Sequence, residues 1–219
     1  MAQVFRPSAN TIAKASIFFL MVLTIAGLCG LDLIHRSPYV RYTHRPKEQP
    51  VPFSHKHHVN MGIDCRYCHT TVEESASANI PSTRICMNCH STIWKDSPML
   101  EPVRESWQTG KSLEWNRVHD LPDFVYFNHS IHINKGIGCV TCHGPVDEMP
   151  LVHREKPLFM KWCLECHKAP EKFIRPQEEV FNMDYKEPKN QLELGRKLVK
   201  EYHVQNENNR LTDCWICHR

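Results

Sequence analysis

A chain of 219 residues has room for one or two domains, and a formal net charge of +3 is too small to argue for a nucleic-acid partner. No basic patch is interleaved with aromatics as single-strand binders require, so nucleic acid is set aside. Mean hydropathy is −0.47, prolines (15) outnumber glycines (8), and beyond residue 34 the apolar runs are too short and irregular for a conventional core. What dominates the composition is 11 cysteines and 15 histidines.

At the N-terminus, Arg6 and Lys14 precede an uncharged stretch from Ala15 to Leu31 that continues past Asp32 to Ile34. This is about the 20 residues a bilayer-spanning helix needs, so residues 15–34 are read as a transmembrane helix after a cytoplasmic segment, 1–14. A cleaved signal peptide would have a shorter apolar region ending at an A-x-A-like site. Cys29 follows the bulky Leu28, which disfavours a lipid-anchor site. Arg36, Arg41, Arg45 and Lys47 follow the helix as densely as Arg6 and Lys14 precede it, so charge does not orient it. Residues 35–52 read as a linker whose His35 and His44 are expected at a membrane surface or a partner.

Ten of the cysteines fall into five CxxCH sites: Cys65/Cys68/His69, Cys86/Cys89/His90, Cys139/Cys142/His143, Cys163/Cys166/His167 and Cys214/Cys217/His218. Two thiols one helical turn apart reach the two vinyl groups of one porphyrin, and the adjacent imidazole then points at the iron as its proximal ligand. Zinc ribbons pair CxxC motifs but need no histidine after each one. A disulfide framework has no use for the repeated histidine, and thioredoxin-like motifs do not recur five times. The reading is five covalently attached c-type haems.

Upstream of the first and third sites the sequence repeats: Phe53-Ser-His55-x-x-His58-x-Asn60-x-Gly62-Ile63-x-Cys65 against Phe127-Asn-His129-x-x-His132-x-Asn134-x-Gly136-Ile137-x-Cys139. Each copy is followed by a second CxxCH. Residues 53–126 therefore read as a two-haem module with a connector, 127–180 as a second two-haem module, and 181–219 as a C-terminal helix with a fifth haem. Histidines three apart project from one side of a turn, and one iron has room for one distal ligand. Each pair, His55 with His58 and His129 with His132, is therefore expected to serve two different haems. His57 has no counterpart in the second copy and reads as solvated. Trp107, Trp115, Trp162 and Trp215 are expected to pack on haem faces. Residues 189–204 read as an amphipathic helix with Leu192, Leu198 and Val199 inward.

The fifth distal ligand is assigned to His119, because Asp120-Leu-Pro after it reads as a fixed turn. The alternatives are Met149, Met160, His153 and His203, and either methionine would raise the potential of its haem.

The paired FxHxxH…GIxCxxCH units resemble the class III and cytochrome c7 multihaem group. The stretch Trp115-Asn-Arg-Val-His119 through His132, with Met160-Lys-Trp-Cys163, is similar to the pentahaem cytochrome subunit of alternative complex III, with Lys161 standing where glycine is expected. The resemblance implies a multihaem cytochrome c fold, mostly irregular with short α-helices around covalent haems, behind one N-terminal transmembrane helix. It also implies an electron-transfer subunit without bond chemistry of its own, in a quinol-oxidising respiratory or photosynthetic complex with iron–sulfur and multi-span membrane subunits. The acceptor would be a periplasmic monohaem cytochrome, a copper protein or a terminal oxidase. Haem attachment at CxxCH normally takes place outside the cytoplasm, which places the haem body in the periplasm or cell exterior of a bacterium and the helix in the inner membrane. Two other functions compete: an independent membrane-anchored quinol dehydrogenase feeding a periplasmic reductase, and a haem enzyme with an open iron. Ten histidines beyond the five proximal ones, enough to close every sixth position, and the lack of a CxxCK site weigh against the last.

Overall fold

The computed structural model describes residues 6–205 and 207–218, the side chains of 207–209 excepted. It divides into two compact units, Met1–Thr43 and His44–Arg219, so the boundary falls inside the stretch read as a linker.

The first unit is built on helix α1 (Ala9–Arg36), 28 residues with a window of mean hydropathy 2.4 and no residue buried by protein. At 1.5 Å per residue it is about 42 Å long, enough to cross a membrane. It exceeds the expected 15–34 at both ends. Its interior polar groups are spent locally: the Ser16 hydroxyl donates to the Ala13 carbonyl and the Thr24 hydroxyl to Leu20, which hides both from an apolar surround. Arg36 pairs with Asp32 at 2.9 Å. His35 lies in the last turn of α1 rather than in a linker, and its Nε2 is 2.5 Å from the Arg41 guanidinium. Ser37 ends the helix in extended backbone and caps α2 (Pro38–Arg41), which begins on proline.

The second unit consists of short helices: α3 (His55–Asn60), α4 (Cys65–Cys68), α5 (Thr83–His90), α6 (Glu101–Thr109), α7 (His129–Asn134), α8 (Cys139–His143), α9 (Met160–Lys168), α10 (Gln191–Glu201) and α11 (Cys214–Cys217). No strand occurs among the described residues, and two isolated bridges, Pro46–His153 and Ile137–Ile174, are the extended pairings. The segment after His44 is not loose. Lys47 and Gln49 bond the carbonyls of Arg117 and Asn116 at 2.6 and 2.8 Å, and Asn116 reaches back to Glu48 and Gln49.

The repeat folds as a repeat. Ser54 and Asn128 cap α3 and α7 by accepting from the N–H three residues on. Both helices then end on a left-handed glycine, Gly62 (φ 79) and Gly136 (φ 78). The following Ile63 and Ile137 donate back to His58 and His132, a glycine-terminated helix end that turns the chain directly into the CxxCH segment. The two copies also hold each other. Segment 73–76, after the first CxxCH, binds the start of α7 through His129 N–H to Ala76 and Ser130 N–H to Ser75, with Asn134 bonding Glu73. Reciprocally, Val146–Glu148, after the third CxxCH, packs on α3.

The apolar core is as thin as the composition implies: Val72, Ile133 and Val180 with Ala78, Cys139 and Phe181 against them. Helix α10 buries Gly195 and Leu198, whereas Leu192 is 46 % exposed, against the expectation. Gly195 takes that place because its Cα lies so close to the Glu171 backbone that a Cβ could not fit.

Candidate haem-binding centres

Every CxxCH site lies on a helical turn: α4, the ends of α5 and α9, α8 and α11. The ten cysteines are free thiols rather than disulfides. Burial keeps several protonated at neutral pH, pushing Cys139 and Cys166 to about 11 and Cys142 to about 12.

Two imidazoles facing one iron, each bonded at about 2 Å, stand with ring centres about 6 Å apart. Four histidine pairs have this spacing: His55 with His69 at 6.5 Å, His58 with His90 at 6.3 Å, His129 with His143 at 6.3 Å and His132 with His167 at 6.1 Å. Each HxxH helix thus presents one histidine to its own copy's first CxxCH and the other to its second. The phenylalanine before each pair fixes this splay. Phe53 stacks on His58 at 4.4 Å and meets His55 edge-on at 4.9 Å, and Phe127 does the same to His132 (4.5 Å) and His129 (4.7 Å).

Backbone carbonyls set the tautomers. His58, His69, His90, His129, His132, His167 and His218 all have Nδ1 within 2.7–3.0 Å of a main-chain oxygen: Ser54, Asn79, Ile93, Ala76, Asn128, Leu211 and Phe124 respectively. A carbonyl can only accept, so Nδ1 carries the proton and Nε2 keeps its lone pair for a metal. His55 differs, its Nδ1 being buried without a partner. Burial, then the neighbouring His69 and His58, lowers His55 to about 4, and burial followed by His119 and His129 lowers His143 to about 3. Such imidazoles are neutral, the form that binds iron. On donor chemistry, spacing and tautomer, the residues fit c-type haem at these four pairs.

The attachment sites neighbour one another in a line. Cys68 feels Cys86 and Cys89, Cys139 feels Cys65, Cys142 feels Cys166 and Cys163, and Cys163 feels Cys217. The order is second, first, third, fourth, fifth. Hydrogen bonds extend it at one end, where His167 binds Leu211, and Tyr126 N–H donates to Cys217 beside the His218–Phe124 bond.

The fifth centre is less complete. His218 has Phe124 as its ring neighbour at 5.8 Å, and no histidine ring among the described residues lies against it. His119 is placed elsewhere: its ring centre is 4.2 Å from that of His143, too close for two rings sharing one iron, and its Nε2 is buried without a partner. Of the alternatives, Met149 is 4 % exposed, Met160 is 60 % exposed, His203 lies at the surface after α10, and His153 pairs with Glu155 at 3.5 Å. His57 is exposed, as read. Trp107 and Trp215 are also exposed, and the tryptophan beside a proximal histidine is Trp94, 6.5 Å from His90. Sequence reasoning did not assign roles to Phe53 and Phe127, although their place in the repeat marked them. The carbonyl anchors carry no side-chain signal.

Comparison with known proteins agrees with this geometry. Residues 125–219 match the family of cytochrome c7 and related cytochrome c, and residues 33–111 match the class III cytochrome c family. The chain is 32 % identical over 184 residues to the multihaem cytochrome c subunit of menaquinone reductase from Nitratidesulfovibrio vulgaris (strain Hildenborough), covering 79 % of this chain and 78 % of that protein. With haem-attachment motifs repeated along a nearly strandless chain and paired histidines facing them, the chain belongs to the class III and cytochrome c7-like multihaem c-type cytochromes, the electron-transport proteins whose haems are held by CxxCH.

Proposed function

We propose that this chain is a membrane-anchored electron-transfer subunit with five c-type haems, working in a quinone-linked membrane complex of the alternative complex III kind. The observation that carries the relay is the sharing of each HxxH helix between two CxxCH sites, which ties neighbouring centres together. Bound there, the haems supply one-electron exchange. The chain's own residues hold imidazoles at set angles, fix their tautomers through backbone carbonyls and exclude water from His143 and His132. In this reading the distal ligands are His55, His58, His129 and His132, with His119 as the fifth. The unpartnered, buried Nε2 of His119 supports a ligand role, while its position beside His143 favours the alternatives.

The quinone link is supported by the menaquinone reductase subunit it resembles and by α1, long and apolar enough to anchor the chain. Partners in this reading are iron–sulfur and multi-span membrane subunits, with a soluble electron carrier or a terminal oxidase at the far end. The haem body lies on the periplasmic side of a bacterial inner membrane. The site order makes the second and fifth haems the ends of the relay. A second direction of flow, from a periplasmic donor into the quinone pool, is favoured by the word reductase in that relative's name. The test is purification from native membranes in detergent. The chain should bring iron–sulfur and multi-span subunits with it, keep five haem masses after denaturation, and have its haems reduced by menaquinol. Isolation as a single subunit that menaquinol reduces directly would favour the independent quinol dehydrogenase instead.

A further inference from the structure

Apart from the haem centres, three side chains from two distant stretches converge. His44 Nδ1 is 3.1 Å and His153 Nε2 3.5 Å from the same carboxylate oxygen, Glu155 Oε2. The two rings are 5.9 Å apart at an angle of 55°, and the three donor atoms lie within 4.8 Å of one another. Ligands about 2.0–2.1 Å from a tetrahedral zinc ion stand about 3.4 Å from each other, so small side-chain adjustments would close the set on a cation.

The backbone holds the three in place. His44 N–H donates to the Arg154 carbonyl at 2.8 Å, and Pro46 bridges His153. His44 itself has φ 57, a conformation uncommon outside glycine. The stem of Glu155 lies against Gly144, the residue after His143, where a Cβ would come within 2.5 Å of Glu155 Cγ. Donor chemistry selects the cation. Two imidazoles with one carboxylate suit a borderline ion such as zinc, whereas calcium and magnesium call for oxygens throughout. The His44 side chain is 56 % exposed, so water can reach a fourth position.

We propose that His44, His153 and Glu155 form a binding site for a zinc-type divalent cation, which fastens the start of the haem-carrying unit to the loop after the third CxxCH. This use of His153 and His44 is separate from haem ligation and stands whether or not the quinone reading does.

The experiment uses the full chain with haems attached, in detergent, stripped with chelator and dialysed against Zn2+, with zinc counted against haem iron. One zinc per chain is expected. Glu155→Gln, which keeps the shape, and His44→Ala, which changes an exposed residue, should each weaken uptake by about tenfold or more with the haem spectrum unchanged. His57→Ala and His203→Ala should retain it. The proposal is overturned if the wild type takes up no stoichiometric zinc, if Glu155→Gln and His44→Ala take up as much as the wild type, or if His153→Ala turns a haem high-spin, which would make His153 an iron ligand.

Discussion

The two copies of the repeat share their phenylalanine wedge, glycine turn and paired histidines, yet they are secured differently. In the second copy His129 Nδ1 is held by Ala76, a residue of the first copy. In the first, the matching His55 Nδ1 is buried without a partner. On the proximal side the asymmetry reverses: His69 is anchored on Asn79, and no hydrogen bond is seen at the His143 ring. Each of the two inner pairs therefore has one locked and one unlocked imidazole, while His58/His90 and His132/His167 have both locked. What the copies keep in common is what a short segment can make for itself, such as the bond from His58 or His132 to the carbonyl four residues back. What differs is what another part of the chain supplies.

The largest expected effect tests whether one helix serves two irons in both copies. The double variant His55→Ala/His58→Ala should open two irons to carbon monoxide, and so should His129→Ala/His132→Ala. Opening of a single iron in either would break the sharing for that copy.

Next comes the glycine turn, where the copies should part. Gly62→Ala meets nothing within 4 Å and suffers only the left-handed backbone, about 1 kcal/mol. Gly136→Ala puts a methyl 2.5 Å from the Arg175 carbonyl and 2.9 Å from the Tyr202 ring, and should cost about 3 kcal/mol. Denaturant midpoints of the holo-protein measure both, and equal losses would mean that the second turn is not packed as described.

The smallest effect concerns His119, which has no counterpart in the first copy. His119→Gln should open one iron if the proposed ligation holds, and an unchanged spin state would pass the fifth site to Met149. Burial, followed by Arg154, lowers His119 to about 4. Between pH 6.5 and about 4 the unfolded chain then binds a proton that the folded one refuses, so stability falls as pH falls through that window. The variant should flatten that slope in acid denaturation.

The features legible in the sequence are those written in local spacing. CxxCH, HxxH, the turn glycines and the apolar N-terminal run each need only neighbouring residues, and the structure forms each as a local element. The end of α1 at Arg36 was missed because polar residues in the last turn remain helical through the Asp32–Arg36 pair. Leu192 was turned inward on period alone, whereas the close approach at Gly195 depends on Glu171, far away in sequence. For the same reason His44 read as a surface residue, since nothing near it announces Glu155. His119 was assigned by proximity along the chain, and its neighbour proved to be His143.

The reciprocal packing of the two copies, segment 73–76 on α7 and Val146–Glu148 on α3, has the logic of an isologous interface, in which one patch meets its own image about a twofold axis. A separate chain carrying one repeat would have found its missing contacts in a second molecule of itself. Joining the two end to end turns a concentration-dependent encounter into a permanent one, and it frees each half to change alone. The carbonyl present at His129 and missing at His55 is the kind of inequality that a symmetric pair of identical chains could not have held.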